Sequence, residues 1–185
     1  MMEAALSGLD PVLVRALATA VSLVLLVGAV QKVRNWEQFR AALANYRLLP
    51  DALVLPAALV LPMLETIGGI ALLAGPFRAA GAVLALGVLF VATGAVAINL
   101  RRGRAHIDCG CGGAEGRQPL SWGLVARNCV VMLAAVLGAL DGRARDLQWI
   151  DYVVLVLASL ALYGLYACAS QLLSNHPRLS ELRNR

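Results

Sequence analysis

The sequence predicts an all-α fold: a polytopic transmembrane helical bundle of four core spans and a fifth, with an amphipathic surface helix after the first span. Composition is the first observation behind this. Of 185 residues, 60% are hydrophobic and 15% charged, where ordinary soluble domains have about 45–50% and about 25%. A water-soluble fold of this size has no way to hide so much apolar surface. The second is run length, because several apolar runs exceed the roughly 18 residues that mark a spanning helix. The third is where the charge falls: most arginines sit in short breaks between those runs.

The first span is expected over residues 11–33. Asp10-Pro11 starts it, with aspartate as the cap and proline at the first helical position. Residues 31–50 change character. Lys32, Arg34, Glu37 and Arg40 are interleaved with Val33, Trp36, Phe39, Leu43 and Tyr46. The apolar members recur every three or four residues, as in a helix lying along the membrane surface. Trp36 and Tyr46 suit the headgroup region. The second span, residues 52–75, carries Pro56, Pro62, Glu65, Gly68 and Gly69, and is expected to be kinked and closely packed. Gly75-Pro76 turns the chain into the third span, residues 77–100. A polar cysteine loop fills residues 101–119. The fourth span is residues 120–140 and the fifth residues 150–173. The whole chain, residues 1–185, reads as one membrane domain.

The net charge of +5 does not point to nucleic acid. Basic residues between apolar runs are orientation signals and headgroup contacts, so membrane lipid is the first expected partner. Aromatic content is only 5%, which leaves few platforms for stacking bases.

The chemistry gathers in His106-Ile107-Asp108-Cys109-Gly110-Cys111-Gly112-Gly113. One residue separates Cys109 from Cys111, so a disulfide between them closes a small ring that departs from relaxed geometry. A strained disulfide is readily reduced and so acts as an oxidant. Gly110, Gly112 and Gly113 permit the turns this needs. Arg101, Arg102 and Arg104 favour a thiolate nearby, and Asp108 opposes it. A metal reading takes His106, Asp108, Cys109 and Cys111 as ligands, but their spacing matches no common zinc site. The plainest reading is two incidental loop thiols.

Charges inside the spans are the second set of candidates, since a charge in a bilayer is costly. Glu65 and Arg127 are expected at depths that differ by only about 5 Å at 1.5 Å rise per residue. A pair between them across the second and fourth spans follows, with Arg15 as the alternative partner for Glu65. Such a pair fixes helix packing, handles protons or polarises a quinone beneath the loop. Cys129 reads as a small buried hydrophobe. Cys168 shares a side with the cysteine loop, as a structural residue or a resolving thiol. Trp122 reads as an interfacial anchor.

Asp108-Cys109-Gly110-Cys111-Gly112-Gly113, then Pro119-Leu120-Ser121-Trp122 and Arg127-Asn128, resemble the signature of the methylamine-utilisation MauE family, within the wider DoxX-like membrane proteins. Lys32, Leu49-Pro50 and Leu61-Pro62-Met63-Leu64-Glu65 fit as well. The resemblance covers roughly residues 10–140. Gly112 departs from it where an aromatic residue is expected, and so does the fifth span, since four are usual. The resemblance implies thiol–disulfide chemistry by Cys109 and Cys111 in the bacterial cytoplasmic (inner) membrane. It implies a thioredoxin-like partner of the MauD type. It also implies a disulfide-rich client, the small subunit of periplasmic methylamine dehydrogenase. No cofactor is certain from the residues; a quinone would serve as the terminal electron acceptor. Non-catalytic readings are a membrane scaffold for the thioredoxin-like partner and a small transporter using Glu65 and Arg127.

Two arguments disagree about the side of the cysteine loop. Of 16 basic residues, 11 lie on the side shared by that loop and residues 174–185. The positive-inside rule makes that side cytoplasmic, whereas the resemblance implies a loop facing the periplasm.

Overall fold

The computed structural model describes residues 9–110, 118–140, 142 and 145–183, with side chains through residue 175. Its helices are α1 (Pro11–Arg34), α2 (Trp36–Asn45), α3 (Asp51–Leu73), α4 (Arg78–Arg101), α5 (Trp122–Ala139) and α6 (Trp149–Arg183). A single 3-10 turn, Gly75–Phe77, joins α3 to α4. The described residues form no β-strand. All helices but α2 are long and apolar enough to cross a membrane, and the chain is a multi-pass membrane protein. Large apolar side chains such as Leu55, Ile67, Phe90, Leu133 and Leu165 point outward, as they must where the surrounding solvent is lipid.

α1 is the central helix. Half of its most apolar window is buried, against 6% for α6, which lies on the periphery. Asp10 caps α1, its carboxylate accepting the Val12 N–H at 2.8 Å. The buried face of α1 is built from Ala16, Ala18, Val21, Ser22, Leu25 and Ala29. Lipid supplies little hydrophobic drive between helices, so association rests on close packing of small residues and on interhelical hydrogen bonds. Both occur here: the Ser22 hydroxyl donates to the Gly69 carbonyl of α3 at 2.7 Å. Gly81 brings α4 against α3, where a Cβ would lie 2.5 Å from the Leu72 backbone nitrogen.

The two halves of the bundle differ. In the half away from the cysteine loop, Ala18, Val21, Leu72, Ala82, Ala85 and Ala135 close a dense apolar core. Arg145 links the starts of α1 and α6 at that end through Asp10 and Asp151, at 3.5 and 2.8 Å; solvent screens such pairs, and they add little to stability. In the half nearer the loop the bundle surrounds a cavity.

α2 is shorter than the sequence indicates. α1 runs on to Arg34, so the helix expected over residues 31–50 is reduced to ten residues. It also does more than lie on the surface. Phe39, Ala42 and Tyr46 are buried, so α2 caps the loop-side half of the bundle. Tyr46 is therefore not a headgroup anchor. Trp122, at the start of α5, is 56% exposed, as an interfacial residue should be.

Candidate functional site

The cysteine loop is held as a built structure up to Gly110. Asp108 and Pro119 pair as an isolated antiparallel bridge. The Cys109 N–H donates to the Gln118 carbonyl at 2.8 Å, and the Leu120 N–H to Ile107 at 3.1 Å. Asp108 turns its carboxylate onto the N–H groups of Gly110 and Gln118, at 3.1 and 3.3 Å. Gly110 adopts φ +72°, a left-handed conformation that glycine enters without a Cβ penalty. Cys111 and residues 112–117 lie outside the described residues.

α2 and α4 fix this loop from both sides. The Tyr46 hydroxyl donates to the Cys109 carbonyl at 3.3 Å. The Arg104 guanidinium reaches the Asn45 and Tyr46 carbonyls at 3.0 and 3.4 Å, and the Asn99 side chain at 3.3 Å. A cation at the carbonyl end of α2 complements its dipole. Cys109 is buried with Tyr46, Val96, Ile107, Leu120 and Leu124 in an apolar cluster.

Beneath the loop lies a cavity of about 710 Å³, within the roughly 300–1,000 Å³ of small-molecule sites. Lys32 and Glu65 contribute to one wall, Arg127 and Asn128 to another, and Tyr163 and Tyr166 to the α6 side; Phe39, Tyr46 and Cys109 close the loop end. The site therefore unites residues from all six helices and the loop.

Glu65 does not pair with Arg127 or Arg15. Its partner is Lys32, whose Nζ lies 2.7 and 2.8 Å from the two carboxylate oxygens. A helical side chain leans back toward the N-terminus of its own helix. Lys32 thus descends one turn over Gly28, where a Cβ would sit 3.6 Å from its Nζ, and reaches a carboxylate deeper in the bundle. Lys32 was legible only as one basic residue of the amphipathic stretch and as a point of family resemblance. Arg15 faces outward from α1.

Arg127 looks the other way, toward α6. Its Nε and Nη2 donate to Asn128 Oδ1 at 3.2 and 2.9 Å, and its Nη1 to the Ser170 hydroxyl at 3.0 Å. Its guanidinium carbon lies 5.0 Å from the Tyr166 ring centroid, a cation–π distance. Asn128 is locked in turn, donating to Thr93 Oγ1 of α4 at 3.1 Å. No carboxylate among the described residues pairs with Arg127.

The other two cysteines stand apart. Cys168 is exposed on α6, although its neighbours Ala167 and Ser170 line the cavity. As placed, it is not positioned to resolve a disulfide at buried Cys109. Cys129 is exposed rather than buried, because Asn128 takes the inward position and the next residue on the helix turns to lipid.

The family description "Methylamine utilisation protein MauE" matches residues 10–141. The methylamine utilization protein MauE of Paracoccus denitrificans is 38% identical over 128 residues, 69% of either chain. That of Methylorubrum extorquens is 40% identical over 128 residues, 68% of either chain. That of Paracoccus versutus is 33% identical over 180 residues, 95% of this chain and 97% of its own. The chain belongs to the MauE family.

No solved structure matches this MauE-family chain. The family match takes in Lys32, Glu65, Cys109, Cys111 and Arg127 and stops before α6. The cavity wall supplied by Tyr163, Tyr166 and Ser170 lies beyond that match, while the alignment with the Paracoccus versutus protein is long enough to take in α6.

Proposed function

We propose that this MauE-family chain is a membrane thiol–disulfide exchange protein that forms disulfides in a partner. Cys109 and Cys111 are its redox pair. A client thiolate attacks one sulfur of the Cys109–Cys111 disulfide, the S–S bond breaks, and a mixed disulfide forms. A second client thiolate then displaces the loop sulfur. The client leaves with a disulfide, and the loop keeps two electrons as two thiols. Exchange goes through a thioredoxin-like partner of the MauD type. The methylamine dehydrogenase small subunit is the client class the family points to, and the bacterial cytoplasmic membrane the location.

The observation that supports this best is the placement of Cys109. It sits at the inner end of a pinned loop, buried, and in the wall of a cavity that reaches toward the bilayer centre. An incidental loop thiol needs neither the Asp108 turn nor the Tyr46 bond. The test is to trap a mixed disulfide in cells with Cys109→Ser and Cys111→Ser variants and to identify the attached protein by mass spectrometry. The proposal expects one variant to accumulate an adduct with a thioredoxin-like protein or its client. It fails if neither variant forms an adduct and client maturation proceeds undiminished in the double variant.

A further inference from the structure

The cavity contains a cation in a setting that calls for an oxygen ligand. Arg127 lies within a span, and a charge there is costly unless something answers it. A guanidinium has five N–H donors; Asn128 and Ser170 take three of Arg127's. Among the described residues the other two N–H donors have no acceptor and the charge has no carboxylate, and Arg127 lines the cavity. Lys32 and Glu65 on the same cavity neutralise each other. The surrounding wall is apolar and aromatic, with Phe39, Tyr163 and Tyr166 among its members, and Cys109 is in that wall as well. The cavity occupies the loop-side half of the spans.

We propose that this cavity is the site of a membrane quinone, with Arg127 donating to a ring carbonyl oxygen and Cys109 in the same wall. The proposal rests on the exchange reading above and names the electron acceptor for it. The chemistry balances with that class of molecule alone. An S–S bond forms between Cys109 and Cys111, and the two electrons and two protons that leave the thiols go to the ring's two carbonyl oxygens, which become hydroxyls. Arg127 favours the transfer because its charge stabilises electron density arriving on the oxygen it holds. A phospholipid phosphate offers Arg127 the same acceptor oxygens but no place for electrons.

Decylubiquinone binding to the purified full chain in detergent is the test, read by calorimetry in the Cys109→Ser variant so that no turnover contributes. Saturable binding is expected, weakened about tenfold or more by Arg127→Gln, the loss expected for one charged hydrogen bond. Ala167→Phe adds a ring to the cavity wall, and is expected to abolish binding while far-ultraviolet circular dichroism stays unchanged. Equal affinity in Arg127→Gln and Ala167→Phe overturns the proposal. So does a chain that ignores decylubiquinone but retains phosphatidylglycerol in an Arg127-dependent way. If decylubiquinone does not bind while mixed disulfides are still trapped, the quinone site falls and the exchange reading stands. If it binds as expected while no mixed disulfide forms, the site stands and the exchange reading falls.

Discussion

Lys32 of α1 and Glu65 of α3 meet at 2.7 Å with their side chains only 11% and 10% exposed. A lysine near the end of one span thus neutralises a carboxylate well inside another. This pair shares a cavity with Cys109 and Arg127, so the charged side chains within the bundle and the loop thiol face one space.

Breaking that pair should be costlier than deleting it. Glu65→Leu leaves an ammonium without its carboxylate, and Lys32→Met the reverse; removing one partner of a buried pair costs about 3–5 kcal/mol. The double variant should recover most of that loss. Thermal unfolding in detergent, followed by circular dichroism, measures all three. A double variant as unstable as the sum of the singles would show that the pair does more than neutralise.

Tyr46→Phe removes the hydroxyl that donates to the Cys109 carbonyl and keeps the ring in its apolar cluster. One neutral hydrogen bond contributes about 0.5–1.5 kcal/mol, so the bundle should melt almost as before. The effect should be local: Cys109 should react several-fold faster with a small maleimide. An unchanged labelling rate would mean that Tyr46 does not restrain the loop.

Gly110→Ala should damage the loop more than any other single methyl. The residue sits at φ +72°, which costs a residue bearing a Cβ about 1–2 kcal/mol, and the new Cβ would stand 2.9 Å from that of Ala42. Mixed-disulfide yield should fall sharply while membrane insertion persists. Yield equal to the parent would show that the turn tolerates another geometry.

Cys129→Ser and Cys168→Ser should both be silent in client maturation. Both side chains are exposed on the spans, away from the cavity. A lipid-soluble maleimide should label both readily. Loss of maturation in Cys168→Ser would bring a third thiol into the exchange.

The bundle was legible because spanning helices are written in run length and hydropathy, and Asp10-Pro11 marked the start of α1 as the cap it proved to be. The cysteine loop was legible because thiols are rare in this chain, four in all, and two of them sit one glycine apart. The pairing inside the spans was not. Depth along a helix is countable, but the direction in which a side chain leaves it depends on rotation about the helix axis, and a long apolar helix carries little amphipathic pattern to reveal that. Glu65 and Arg127 were therefore matched by depth, while rotation gave Glu65 to Lys32 and Arg127 to Ser170 and Tyr166. The same ambiguity hid the outward turn of Cys129. Tyr46 reads equally well as an interfacial or a buried residue until the neighbour that accepts its hydroxyl, the Cys109 carbonyl, is known.

The proposed function requires Cys109 and Cys111 to form one reversible dithiol–disulfide couple. Its most direct test is intact-protein mass spectrometry after alkylation across a series of glutathione redox buffers, in a Cys129→Ser/Cys168→Ser background. Two alkylation sites should be lost together, with the slope of a two-electron couple. Their midpoint should lie above about −300 mV, the region of resistant structural disulfides. Two thiols that stay alkylatable at every ratio, or that pair only between molecules, would contradict it.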